Sequence, residues 1–179
     1  MKSKSQGFTL LELVVVIVIL GILAVTAAPR FLGVQRDAHE ALAQGAFAAF
    51  RNSIDMYHSQ WLVDGEPNFD QVVDYGEGDV YPSLTGFPIS VLDKPSNPPI
   101  LIGEQCEKIW TALMNTDLTI RSYTNDVFPS NTDIVSWYQG SSTCFYYYTT
   151  GYSQGEPLPR LNYNTDTGEI EITTGTPHS

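Results

Sequence analysis

The sequence predicts an α+β protein in which one long N-terminal helix packs on a C-terminal antiparallel β-sheet. Valine, isoleucine and leucine are concentrated in the first 32 positions of the 179-residue chain, which hold 14 of the 40, and an apolar helical periodicity then continues to about Val63. The rest is rich in proline, glycine, asparagine, aspartate and serine, and its aromatic and β-branched segments are typical of short strands. We therefore divide the chain into a short basic segment (1–7), an apolar segment (8–28), a second helical segment (29–63) and a globular head (64–179).

The first element is an apolar run from Phe8 to Ala28, which Pro29 ends. As a helix it would span about 30 Å, which is one crossing of a bilayer. Two lysines precede the run, so the positive-inside rule places the amino end in the cytoplasm and exports everything after Ala28. A secretory signal peptide is a second interpretation, with residues 25–27 as a small-residue cleavage sequence, although the run is longer than usual.

Glu12 is an acidic residue inside this run, with no evident polar partner in its own segment. A plain membrane anchor would tolerate it near the interface, but an acid at membrane depth indicates a functional site by default. Cleavage between Gly7 and Phe8 would create an amino group four residues before Glu12. That amine on a neighbouring subunit can pair with Glu12 in an apolar bundle. We therefore predict that Glu12 is a docking signal between subunits.

The sequence Gly7-Phe8-Thr9-Leu10-Leu11-Glu12, after a short basic leader, resembles the prepilin signature of type IV pilins and type II secretion pseudopilins. The resemblance implies cleavage after Gly7 by prepilin peptidase, N-methylation of Phe8, and extraction of subunits from the inner membrane into a helical filament. It also implies that Gly21 and Pro29 are positions where the helix weakens, and both residue types do destabilise helices. Residues 24–32 further resemble pilins of the mannose-sensitive haemagglutinin (MSHA) type.

The second helical segment, 29–63, carries two apolar stripes, which predict burial by the head on one side and by neighbouring subunits on the other. Asp64-Gly65-Glu66-Pro67 ends the helix. A helix from about Thr9 to Val63 would be ~80 Å long, which is natural for a filament subunit. The first stripe contains Phe31, Val34, Ala38, Leu42, Gly45, Ala46 and Ala49, and the second contains Ala46, Phe50, Ile54, Tyr57 and Trp61.

The head is predicted to begin with a long connecting loop, because residues 65–103 contain six of the eleven prolines and little periodicity. A short amphipathic helix follows at Glu104–Asn115. An antiparallel sheet on the carboxyl half of the long helix satisfies this pattern, and it is the architecture that the pilin resemblance implies. Its predicted strands are Ile134–Tyr138, Cys144–Thr149, Arg160–Asn164 and Glu169–Thr173, the last two joined by a hairpin turn at 165–168.

The two cysteines, Cys106 and Cys144, both lie in the exported part, where an oxidising periplasm favours a disulfide. A metal site is disfavoured because two cysteines without nearby histidine supply too few ligands. Two acidic turns, Asn164–Glu169 and the group Asp74, Glu77 and Asp79, have oxygen ligands that suit calcium, but exposed turns need the same residue types.

No catalytic motif or cofactor fingerprint is present, and the three histidines, His39, His58 and His178, are scattered, so we expect no enzymatic activity and no cofactor. A net charge of −11 disfavours nucleic-acid binding. The dense aromatic residues of the head would stack on sugars if exposed, although alternate aromatics on a strand usually form the core. They are Trp137, Tyr138, Phe145, Tyr146, Tyr147, Tyr148 and Tyr152.

We therefore expect a structural subunit, major or minor, of a type IV pilus of the MSHA type used for attachment. Before assembly it would cross the inner membrane once with its head in the periplasm, and after assembly it would be extracellular. The expected partners are other pilin subunits, the prepilin peptidase and methylase, the inner-membrane assembly platform, and an extracellular glycan or surface. The alternatives are a type II secretion pseudopilin and a sugar-binding adhesin at a pilus tip.

Overall fold

The computed structural model describes residues 8–177, without the side chains of 28–32. The chain forms two compact units, Met1–Ala38 and His39–Ser179, which are described separately. The predicted leader with Gly7, as well as His178, lies outside the described residues. In chain order the elements are α1 (Leu10–Val63), β1 (Val80–Pro82), β2 (Pro88–Val91), α2 (Gln105–Leu113), β3 (Ile120–Ser122), β4 (Ile134–Gln139), β5 (Thr143–Tyr148), β6 (Leu158–Asn164) and β7 (Ile170–Gly175).

The long helix α1 begins and ends within one residue of the predicted limits, 9–63. Its backbone is helical at Gly21 and also at Pro29. The space around Gly21 is open, since no atom lies within 4 Å of the place where a Cβ would stand. The weakening of the helix at these two positions in a filament stays a prediction.

In the second unit, α1 supplies one side of the hydrophobic core. Phe50, Ile54 and Tyr57 of the second predicted stripe are fully buried, whereas Leu42 of the first stripe is 57% exposed. The core face is wider than the predicted stripe, because Ala43 and Phe47 are also fully buried. The pattern matches a helix that is covered on one side by its own head.

The main sheet has the order β3-β4-β5-β6-β7. The antiparallel prediction is confirmed for β4 to β7, and the helix α2 lies inside the predicted range 104–115. The antiparallel prediction is wrong for the edge strand β3, which was not predicted and runs parallel to β4. The strand is only three residues long, so it lacks the alternation on which a prediction depends. Asp133 fixes it in place by accepting hydrogen bonds from the backbone N–H and hydroxyl of Thr119.

The predicted loop 65–103 is not continuous, because it contains a β-hairpin. Strands β1 and β2 pair antiparallel, with an irregularity between Tyr81 and Pro82. Proline is compatible with strands only at their ends, at edges and at bulges, and both Pro82 and Pro88 are terminal residues of these strands. The high proline content therefore obscured two short strands.

The core of the second unit is centred on aromatic rings. The ring of Phe50 lies 4.9 Å from that of Trp110 in α2 and 5.0 Å from that of Tyr146 in β5. Beside this cluster, Cys106 and Cys144 form a disulfide between α2 and β5, with their Cα atoms 5.6 Å apart. The core therefore joins α1, α2 and one face of the sheet.

Candidate functional site

The first part of α1 presents an uncovered apolar surface. The stretch Leu10–Ala27 has a mean hydropathy of 2.9, and none of it is buried in the protein. The large apolar side chains from residue 8 to residue 25 are between 42% (Val14) and 84% (Phe8) exposed. By length and composition this stretch is able to cross a membrane. An apolar surface of this extent requires lipid or apolar protein around it.

Thr9 and Glu12 form a reciprocal cap at the start of α1. The Oε2 atom of Glu12 accepts hydrogen bonds from the backbone N–H of Thr9 at 3.0 Å and from its hydroxyl at 2.7 Å. In return, the hydroxyl oxygen of Thr9 accepts the backbone N–H of Glu12 at 3.3 Å. This is the capping-box arrangement, in which a threonine and a glutamate three residues later satisfy unpaired helix donors.

The cap corrects one premise of the sequence analysis. Glu12 does have a polar partner in its own segment, and that partner is Thr9. The spacing of Thr9 and Glu12 is itself the sequence signal of a capping box. Glu12 therefore has a local structural role, and its role between subunits must be tested separately from it.

The remaining polar side chain of this segment is also satisfied within the helix. The Thr26 hydroxyl donates to the carbonyl oxygens of Ile22 at 3.2 Å and Leu23 at 3.0 Å. Such bonds to the preceding turn remove the cost of placing a hydroxyl in an apolar environment. Residues 9–27 are thus chemically compatible with lipid or with a packed apolar bundle.

The aromatic residues of the head lie on both faces of the main sheet. Tyr146 and Tyr148 of β5 belong to the core with Phe50, and Tyr147 is buried in a smaller cluster on the opposite face. Each of these three tyrosines is at most 1% exposed, so none of them is available to stack on a sugar. Phe145 is partly exposed on the opposite face.

Phe145 lines a polar groove of about 320 Å³ that crosses strands β4 to β7. Its ring lies 5.4 Å from the guanidinium carbon of Arg160, and the Asn162 amide donates to Glu171 Oε2 at 2.9 Å. The groove offers hydrogen-bond donors and acceptors beside an aromatic ring. The other lining residues are Gln139, Thr143, Asn164 and Glu169.

Neither acidic turn forms a metal site in the described part of the chain, where no group of three or more histidine, cysteine or acidic side chains could hold an ion. In the turn at 164–169, the Asn164 side-chain oxygen accepts the backbone N–H groups of Asp166 and Thr167 at 2.8 and 3.1 Å. These bonds are those of an ordinary asparagine turn.

Comparison with known proteins identifies the first part of the chain. The model of the prokaryotic N-terminal methylation motif matches residues 2–28. The chain carries that motif. The residues that match the motif thus include residues 2–7 of the predicted leader, the cap of α1 and the uncovered apolar surface.

The curated relatives of this motif-bearing chain come from pili and from type II secretion systems. The type II secretion system core protein G of Aeromonas hydrophila is 46% identical over 56 residues, which cover 31% of this chain and 39% of that protein. The type IV narrow pilus major component PilA5 of Thermus thermophilus is 40% identical over 75 residues, 42% of this chain and 63% of that protein. The core protein G of Vibrio cholerae is 35% identical over 95 residues, 53% of each chain.

These relatives are structural subunits and not enzymes, which agrees with the expectation that the chain is not an enzyme. The chain spans between 39% and 63% of the length of these three relatives. No solved structure matches the chain significantly. The methylation motif and the two kinds of relative together support a pilin-like or pseudopilin-like subunit, without specifying the MSHA type.

Proposed function

We propose that the chain is a structural subunit, major or minor, of a type IV pilus of the MSHA type that mediates attachment. The observation that carries this proposal is the uncovered apolar surface of residues 10–27, which lies within the residues that match the methylation motif, 2–28. A head with its own closed core does not need this surface for folding. The surface is therefore available first to lipid and then to neighbouring subunits.

The precursor is proposed to cross the inner membrane once, with its head in the periplasm. Prepilin peptidase cleaves between Gly7 and Phe8, the new amino group is methylated, and the assembly platform moves the subunit into the filament. A methylated amine keeps its positive charge and still donates hydrogen bonds. Inside the apolar bundle it pairs with Glu12 of a neighbouring subunit, where the surrounding low dielectric strengthens the pair.

The type II secretion pseudopilin is the alternative, and the relatives support it equally. The two functions share the processing step and the apolar bundle. They differ in the product, because a pilus extends from the cell surface whereas a pseudopilus remains within the envelope. The discriminating observation is therefore where the mature chain is found.

The test is intact mass and amino-terminal sequencing of the mature chain from sheared surface material and from membranes. Methylated Phe8 as the first residue in the sheared fraction supports the pilus. The same terminus confined to the membrane fraction favours the pseudopilus. A terminus near Ala28 would contradict both functions, because an ordinary signal peptide would then have removed the apolar surface.

Saccharide binding is a second candidate function, which the groove around Phe145 favours. An aromatic ring packs on the apolar face of a sugar, and amide and carboxylate groups such as those of Asn162 and Glu171 hydrogen-bond its hydroxyls. The groove lining, over the described residues, contains two carboxylates and no lysine or arginine. A neutral saccharide is therefore the ligand class that its chemistry fits.

The saccharide proposal is tested by titrating neutral oligosaccharides into the full chain in nanodiscs and measuring the heat of binding. Saturable binding that Asn162→Ala and Phe145→Leu weaken, and that Leu84→Ser at an exposed residue outside the groove lining leaves unchanged, would support it. Absence of saturable binding, or equal loss with Leu84→Ser, would contradict it.

A further inference from the structure

A second groove of about 460 Å³ lies between the end of β2 and the helix α2. Its volume falls within the range of ordinary ligand sites. Val91 and Ala112 form an apolar floor and are 4% and 6% exposed, and Leu92 stands beside them with 64% of its surface exposed. The groove therefore places a prominent exposed leucine next to a buried apolar floor.

Leu92 adopts an unusual backbone conformation, with φ at 66°. Residues with a Cβ rarely occupy this left-handed region, which glycine adopts readily. Gly78 makes room for the leucine, because a Cβ at position 78 would stand 3.1 Å from Leu92 Cδ2. The fold thus holds a branched apolar side chain at a position where glycine would be easier, and such strain occurs preferentially at functional sites.

The rim of the groove is acidic. Glu77, Glu104 and Glu107 line it together with one base, Lys108. The Lys108 ammonium lies 2.8 Å from Asp93 Oδ2, so a carboxylate outside the lining already compensates its charge. The lining therefore attracts cations and repels anions.

We propose that this groove binds a cationic amphipathic segment of a different protein, with an aliphatic side chain on Leu92 and a lysine or arginine near Glu77 and Glu104. We choose this occupant because of charge complementarity, since an acidic rim around an apolar floor fits alternating basic and aliphatic side chains. A second copy of this chain is a poor match, since the chain itself carries a net charge of −11.

The experiment measures binding of a fluorescein-labelled octapeptide of alternating leucine and lysine to the full chain in nanodiscs of neutral lipid. Fluorescence anisotropy reports binding, and empty nanodiscs provide the blank. We expect saturable binding that weakens as salt increases. A leucine–glutamate peptide and a serine–lysine peptide test charge and apolar contact separately, and equal binding of either one would overturn the proposal.

Two variants and one matched control locate the site. Glu77→Gln combined with Glu104→Gln should weaken binding about tenfold, the size expected for two exposed ion pairs. Leu92→Gly should also weaken it about tenfold through lost apolar burial. Leu84→Gly removes an equally exposed leucine (67%) on the β1–β2 turn and should leave binding unchanged.

Leu92→Gly also separates binding from folding. Glycine relieves the positive φ, so this variant should unfold at the same temperature as the original chain or at a higher one. Weaker peptide binding without loss of stability would support a binding role for Leu92. Unchanged binding by Leu92→Gly would overturn the proposal, as would self-association of the chain that the same variant abolishes.

Discussion

Replacing both Cys106 and Cys144 by alanine should lower the free energy of unfolding of the second unit by about 4 kcal/mol. The two cysteines are 38 positions apart, so the bond closes a loop of about 39 residues. In the chain-entropy model, closure of such a loop removes about 13 cal/mol/K from the unfolded state, which is about 4 kcal/mol at 25 °C. Both residues are at most 3% exposed, so deleting the sulfur atoms adds a small cavity cost in the same direction.

The assay is thermal unfolding of the full chain in nanodiscs, followed by near-ultraviolet circular dichroism of the aromatic core. The second unit has roughly 140 residues, and at about 2.1 cal/mol/K per residue a loss of 4 kcal/mol lowers Tm by about 13 °C. The hydrogen bond from the Tyr146 hydroxyl to the carbonyl oxygen of Cys106, 2.8 Å long, does not need the sulfur atoms and should persist in the variant. The loss therefore reports on the covalent link.

Reduction of the original chain is the matched control, because it opens the bond without deleting atoms. It should reproduce most of the loss in the double variant. A loss below about 1 kcal/mol in both cases would refute the reasoning, since the unfolded chain would then already be restrained between the two positions.

Three further predictions concern other parts of the chain. Glu12→Gln keeps an acceptor for the helix cap but removes the charge, whereas Glu12→Ala removes both. If both variants reduce the amount of the chain in sheared filaments, the result supports pairing between subunits. If only Glu12→Ala reduces it, Glu12 acts through the helix cap. Gly168→Ala should lower the free energy of unfolding, measured with urea, by about 1–3 kcal/mol, because φ at Gly168 is 70° and a Cβ there would collide with the Phe87 ring. Gly140→Ala is the control and should lower it less, because φ at Gly140 is 65° but the space around it is open. Burial raises the pKa of Asp133, but hydrogen bonds from threonine outweigh this effect and hold the pKa below its usual value. The ionised carboxylate therefore stabilises the fold at pH values above the ordinary carboxyl range, and this stabilisation is lost as the pH falls through the lowered pKa. Asp133→Asn should flatten the plot of unfolding free energy against pH below about pH 4.

Strong periodicity made the long helix and four strands of the main sheet predictable. The limits of α1 agree with the prediction to one residue because an apolar run starts it and Asp64-Gly65 ends it. Strands β4 and β5 were predicted because β-branched and aromatic residues dominate them. The placement of buried Tyr146 and Tyr148 on one face and of partly exposed Phe145 on the other also follows from alternation along a strand.

The elements that were missed depend on contacts distant in sequence. The strand β3 is held by the side chain of Asp133, which no local pattern around 120–122 reveals. The groove beside Leu92 exists because β2 and α2 pack together. The positive φ of Leu92 could not be predicted from the sequence, because leucine is not a residue type that favours this conformation. Tertiary contacts therefore overrode local propensity at these positions.

The cap and the proposed pairing of Glu12 between subunits are compatible on stereochemical grounds. Both hydrogen bonds from Thr9 end on Oε2 of Glu12. An ionised carboxylate offers about four lone-pair sites on its two oxygens, so Oε1 is able to accept the charged amine of a neighbouring Phe8 while Oε2 keeps the cap. The cap orients the carboxylate before the subunits meet, which reduces the conformational entropy lost on docking. Replacing Thr9 by valine would remove the hydroxyl and leave the charge, so weakened filament incorporation of Thr9→Val would show that this orientation matters, and normal incorporation would show that charge alone suffices.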